Sequence, residues 1–203
     1  VRYLQNAALS RALGTEKKCL AMVTADCDDA TYIALDAATK AAQVQVAYAR
    51  SFYAGAANAT TPFAGEVIGI LAAQTPGAVR SGMEAALLKA HAAGTPVFGI
   101  CGGYQMMGRT VSDPENTEGG GSLRGIGLLP VETVFRAAKT TVQTHGTVAD
   151  TAGVLHGLSR LAVEGYEIHM GVTKAGEGAT PFCRLSDGRT DGAVAGNVFG
   201  TYL

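Results

Sequence analysis

The stretch Thr95-Pro96-Val97-Phe98-Gly99-Ile100-Cys101-Gly102-Gly103-Tyr104-Gln105-Met106-Met107-Gly108 constrains this chain more than any other. Residues 97–100 form a short apolar run that reads as a buried strand. Cys101 follows at once, with Gly99 before it, Gly102 and Gly103 after it, and then a run able to start a helix. A strand–nucleophile–helix turn holds its nucleophile in a strained backbone geometry. The neighbours are then expected to be small, because side chains there would strike the adjoining strand. In such a turn the side chain stands exposed above the sheet. A helix N-terminus behind it favours a thiolate and offers backbone N–H groups to an oxyanion. A buried cysteine in a glycine-rich turn would account for Cys-Gly-Gly alone. The whole pattern Gly-x-Cys-x-Gly-x-Gln behind a strand favours Cys101 as a nucleophile.

With 203 residues the chain forms one large domain or two small ones and can bury a core. Charged residues make up 16% and the formal net charge is −1, so nucleic acid and anionic membrane exert no electrostatic pull and are not expected as partners. The 27 glycines, many in turns around apolar strands, suit an α/β protein better than a helix bundle. Cys19, Cys27, Cys101 and Cys183 are scattered and none sits in a C-x-x-C pair. That predicts a reduced, cytoplasmic chain with neither a disulfide framework nor a zinc site. No signal peptide and no membrane-length apolar run is read, and Val1 in place of Met is what a fragment is expected to show.

Along the first half, residues 1–13 predict an extended lead and a short helix, and Cys19–Ala25 a strand. Asp26-Cys27-Asp28-Asp29 is an acidic cluster. Three carboxylates so close could hold a hard cation, but capping of a helix over 30–42 is the simpler use. Residues 44–49 alternate, placing Val44, Val46 and Tyr48 on one side of a half-buried strand. Residues 53–59 read as a small-residue loop, 65–71 as a strand and 76–93 as a helix with Pro near its start. The blocks T-A-D-C-D-D-A-T-Y-I-A-L-D-A-A-T-K-A-A, V-A-Y-A-R-S-F-Y-A-G-A-A-N-A, A-G-E-V-I-G-I-L-A and R-S-G-M-E-A-A come in order over residues 1 to about 88. Together they resemble the first half of the EutL-type shell proteins of ethanolamine-utilisation microcompartments. That resemblance implies a BMC-like α/β module of permuted type, two of which per chain build a trimeric tile. Only one is present here, so a homo-oligomer through this half is the partner it implies.

In the second half, residues 113–122 read as a polar glycine-rich loop and 125–135 as an apolar strand pair split by Pro130. Residues 139–148 alternate like a solvent-facing strand, 165–171 read as a short glycine-bounded strand, Asp187-Gly188-Arg189 and Asp191-Gly192 as turns, and 192–203 as a return to strand. The stretches G-T-P-V-F-G-I-C-G-G-Y-Q-M-M-G, G-I-G-L-L-P-V-E-T-V-F, K-T at 139–140, G-Y-E-I-H-M-G and the closing G-T-Y-L cover about residues 89–203. They resemble the class I, triad-type glutamine amidotransferase domain of cobyric acid synthases. The resemblance implies a flavodoxin-like sheet, mixed or mainly parallel. It makes Cys101 the thiolate that attacks the side-chain amide of glutamine, Gly102 an oxyanion donor and Gln105 a contact to bound glutamine. It implies no cofactor, with ammonia passed to corrinoid carboxylates by an ATP-dependent synthetase domain.

A cysteine nucleophile needs a base. The resemblance places that histidine directly after G-T-Y-L, which here is Gly200-Thr201-Tyr202-Leu203 at the last letter. The base is therefore expected to be missing and glutaminase activity impaired. His169 is the candidate substitute. Strand alternation puts Glu167 on its face, as a structural or substrate-binding partner, while His91, His145 and His156 read as surface residues. The family's second oxyanion donor follows a Pro-Gly loop; the Pro-Gly pair available here, Pro76-Gly77, lies in the shell-like half. No G-x-x-x-x-G-K-[ST] occurs, so a glutaminase portion is expected and not a complete amide ligase. The chain thus reads as a shell-like module, 1–88, joined within the helix at about 78–93 to an amidotransferase-like module, 89–203. The enzyme reading stands first, and a structural shell protein with an inert passenger is the alternative.

Overall fold

The computed structural model describes residues 7–17, 19–25, 27–51 and 67–203. They fall into two units, Val1–Thr95 and Pro96–Leu203. In the first unit β1 (Cys19–Ala25), β3 (Val67–Ala73) and β2 (Gln45–Ser51) form an antiparallel sheet in the order β1-β3-β2. Central β3 is apolar throughout because both its faces are covered. Leu71 and Ala73 meet the core under α2 (Asp28–Ala41) and α3 (Pro76–Ala92), while Ile70 and Ala72 face Leu9 of α1 (Ala7–Ala12). A side chain at Gly69 would collide with Leu35 of α2, whose Cδ1 lies 2.7 Å from where a Cβ would stand.

Two expectations change here. The N-cap of α2 is Cys27 without a side-chain bond, and Asp28 and Asp29 lie within its first turn, where they complement the helix dipole. Asp26 lies outside the described residues, as do the predicted loop at 53–59 and the start of the strand at 65–66. In β2 a bulge between Val46 and Tyr48 breaks the alternation, so Val44 packs with the helix-side core and Tyr48 with the opposite cluster. α3 opens as read: Thr75 Oγ1 accepts the Ala78 N–H at 3.2 Å, and Pro76 stands where its missing N–H costs nothing.

The second unit holds two sheets. One runs β11 (Ala193–Ala195), β12 (Val198–Thr201), β4 (Val97–Ile100), with β12 parallel to β4. The other runs β10 (Thr190–Asp191), β9 (Cys183–Leu185), β7 (Val131–Val148), β5 (Thr110–Asp113), β6 (Gly121–Arg124), with β8 (Ala162–Ala175) along β7. Only β12–β4 and β5–β7 pair in parallel among the described strands, so the unit is mixed. The segment 125–130 is no strand. Its Gly125, Ile126, Gly127 and Leu129 amides bond instead to carbonyls of Arg109, Met106, Gly108 and Met107, satisfying the end of α4 (Gly102–Met107). The polar loop at 113–122 contributes to a β5–β6 hairpin, and the glycine-bounded strand at 165–171 is the middle of the longer β8.

Candidate active site

Cys101 stands between β4 and α4, at the end of the parallel pairing in which Thr201 faces Ile100. Its φ is 52° and ψ −112°, left-handed territory for a residue with a side chain. The Cys101 N–H donates to the Thr201 carbonyl at 2.9 Å, and its own carbonyl accepts the Gln105 N–H at 3.1 Å. Gly99 is required by packing: a Cβ there would run into Met107 and lie 2.8 Å from the Gly103 carbon and Tyr104 nitrogen of α4. Gly200, the neighbour on β12, likewise makes room for the Tyr104 ring. Gly102 and Gly103 differ from the expectation. Nothing lies within 4 Å of a Cβ built on either, so it is open space beside Cys101, and not a strand, that their smallness leaves.

Behind the elbow lies a buried polar chain centred on Tyr202. Gln105 Nε2 donates to the Tyr202 hydroxyl at 3.2 Å, that hydroxyl bonds Thr173 Oγ1 at 2.6 Å, and Thr173 bonds Thr133 Oγ1 at 2.7 Å. Gln105 is therefore an inward-facing residue, 7% exposed, and Gly171 makes room for its amide. Burial pushes the phenols of both Tyr104 and Tyr202 up, in Tyr202 against the hydrogen bonds from Thr173 and Gln105. The Tyr202 ring stacks on His169 with centroids 3.7 Å apart and meets Tyr104 edge-on at 5.3 Å.

His169 and Glu167 share the inner face of β8, as alternation predicts. His169 Nδ1 donates to the Gly171 carbonyl at 2.7 Å, which fixes the proton on that nitrogen. Its Nε2 is buried without a hydrogen-bond partner among the described residues and lies 3.8 Å from Glu167 Oε1. Among the described residues neither ring nitrogen bonds Cys101. Glu167 is buried and receives Arg189 Nη2 at 2.7 Å. That bond, and a second one to Asp187, hold the Arg189 guanidinium above its usual value. His145 and His156 are exposed; His91 is half-buried near the end of α3.

Asp191 was legible only as a turn residue. Its carboxylate is buried and accepts from Thr201 Oγ1 and from the Tyr202 N–H, at 3.1 Å to Oδ2. Burial pushes this carboxyl up, the Thr201 and Tyr202 bonds opposing it. Its neighbour across β9–β10, Cys183, has its thiol pushed up to about 12 by burial first and Asp191 second, a state unsuited to nucleophilic work.

A model of the CobB/CobQ-like glutamine amidotransferase domain matches residues 73–203, well over half of the chain. The chain belongs to this family. Two curated relatives of this amidotransferase domain are cobyric acid synthases. That of Ruminiclostridium cellulolyticum is 43% identical over 130 residues, covering 61% of this chain and 25% of the relative. That of Lachnoclostridium phytofermentans is 54% identical over 91 residues, covering 45% and 18%. The chain thus spans a quarter or less of the length of these relatives. A model of the BMC domain matches residues 19–98, so residues 73–98, with α3, are matched by both families. The first half is 51% identical to the ethanolamine utilization protein EutL from Leptotrichia buccalis, over 43% of this chain and 42% of that one, with a TM-score of 0.39. Among the described residues no helix is long and apolar enough to cross a membrane.

Proposed function

We propose that the second unit is the glutaminase part of a cobyric-acid-synthase-type amidotransferase, with Cys101 as nucleophile. The observation that carries the reading is the left-handed Cys101 between β4 and α4, with open space over Gly102 and Gly103. The Cys101 sulfur attacks the side-chain amide carbon of glutamine, and the Gly102 N–H faces the oxygen as it gains charge. Collapse of the adduct forms a thioester and expels ammonia, which takes the proton given up by the thiol. Water then hydrolyses the thioester to glutamate and restores the thiol. His169 takes the part of base, and Nε2 is the nitrogen left to accept a proton. Glu167 faces that nitrogen, and Gln105 bears on bound glutamine through the wall it forms with Tyr202. Ammonia delivery to carboxylates of a corrinoid, with an ATP-dependent synthetase domain, belongs to this proposal for the whole enzyme, of which these residues match a quarter.

Ammonia released from glutamine by the 203-residue chain and by C101A tests the reading. A slow but Cys101-dependent rate is expected, and it falls further in H169A if His169 is the base. Equal rates in wild type and C101A end the enzyme reading.

The BMC match over residues 19–98 favours a second role for the first unit, self-association of shell type. Sedimentation at increasing concentration is expected to show trimers or larger species. A monomer throughout contradicts it.

A further inference from the structure

We infer that Asp191 is a positioning residue for the Cys101 elbow, holding the end of β12 where the Cys101 amide rests on it. The inference draws its meaning for catalysis from the glutaminase reading above. Asp191 is 5% exposed, and among the described residues no cation pairs with it. A carboxylate so placed is costly unless hydrogen bonds hold it. The side-chain and backbone groups that bond it come from Thr201, the last residue of β12, and Tyr202, the next residue: Thr201 Oγ1, and the Tyr202 N–H at 3.1 Å to one oxygen and 3.3 Å to the other. Thr201 Oγ1 in turn accepts the Leu203 N–H at 3.1 Å, so its own proton is left for Asp191.

The consequence reaches Cys101 through one peptide group. The Thr201 carbonyl accepts the Cys101 N–H at 2.9 Å. A left-handed residue with a side chain persists only where its surroundings over-determine it. Here two backbone bonds do so, from Gln105 N–H and to Thr201 O, and the second hangs on Asp191. Gly192 gives an independent sign that this corner is fitted to β12. Its φ is +73°, and a Cβ there would strike the Gly200 carbonyl, so the chain leaves Asp191 pressed against the strand it holds.

The test compares folded wild type, D191N, T201V and T201S by two readouts. One is hydrogen exchange at the Cys101 amide relative to the Val97 amide, which donates to Asn197 O and serves as internal reference. The other is the rate at which iodoacetamide alkylates Cys101, mapped by mass spectrometry. In D191N the side-chain amide keeps one acceptor and turns an NH2 toward the other donor; T201V removes the hydroxyl and T201S restores it. D191N and T201V are expected to change both readouts by about threefold or more, with T201S below that threshold. D113N, which weakens a loop of the same unit away from β12, is expected to lower stability while leaving both readouts below threshold. If D191N does not fold, T201V and T201S decide. Readouts of D191N and T201V both below threshold overturn the inference. Neither readout is ammonia release, so a wild type without Cys101-dependent ammonia would end the glutaminase reading and leave this one to be judged by itself.

Discussion

Two glycines flanking one sulfur have opposite reasons for being glycine. Gly99 is pinned by the backbone of α4, so G99A is expected to destabilise the second unit by about 1–3 kcal/mol, read by thermal or urea unfolding. Gly102 has empty space above it and no left-handed backbone, so G102A is expected to leave stability unchanged or raise it by about 0.4–1 kcal/mol. It intrudes where substrate must lie, and Cys101-dependent ammonia release is expected to fall by about tenfold or more. The strained bend at Cys101 was legible because local pattern alone, a strand, a cysteine and a glycine pair, marks a turn of this kind. Asp191 and Tyr202 were not. Asp-Gly is a turn signal wherever it occurs, and only tertiary structure decides whether its carboxylate faces water or the end of a strand. Gln105 shows the same limit: its position on the helix was readable, and the hydroxyl it would meet was not.

At the scale of elements, the apolar strands β1 and β3 were found where read and β2 near it, though a bulge undoes the alternation expected of β2, while the β5–β6 hairpin was hidden by its glycines. One carboxylate closes that hairpin. Asp113 accepts from Thr117 N–H and Oγ1–H, Glu118 N–H and Gly120 N–H. Burial works to raise this carboxyl, but the hydrogen bonds prevail and lower it from 3.8 to about 2. A carboxyl depressed in the folded state adds stability above its unfolded value, and that stability is lost as pH falls. The second unit is therefore expected to weaken from about pH 4 toward pH 2, and D113N to flatten that part of the curve in denaturant titrations across pH. Asp191 runs the other way. Burial raises its folded carboxyl, so its contribution is greatest in acid and is lost as it ionises with rising pH. Of the strand pair read over 125–135, residues 131–135 were found within β7, while 125–130 was misread because an apolar run gives no sign that its amides will serve the end of a neighbouring helix.

For the whole molecule, two compact units predict two cooperative transitions. Leu71 is fully buried in the first unit, and L71A is expected to cost about 2–5 kcal/mol there. Calorimetry is expected to show one transition moving and the other staying; a single transition shifting as a whole contradicts independent units. The two-part character was legible because each half carries its own consecutive motifs. The position of the change was less so, since α3 satisfies both family patterns and its spacing fits either.

The sulfur at this bend is proposed to react with a glutamine side chain. Labelling by a glutamine-like diazo ketone, mapped over Cys19, Cys27, Cys101 and Cys183, tests it most directly. Modification is expected at Cys101, suppressed by added glutamine, with buried Cys183 unlabelled. Labelling confined to exposed Cys27, or labelling of Cys101 that glutamine does not slow, would contradict it.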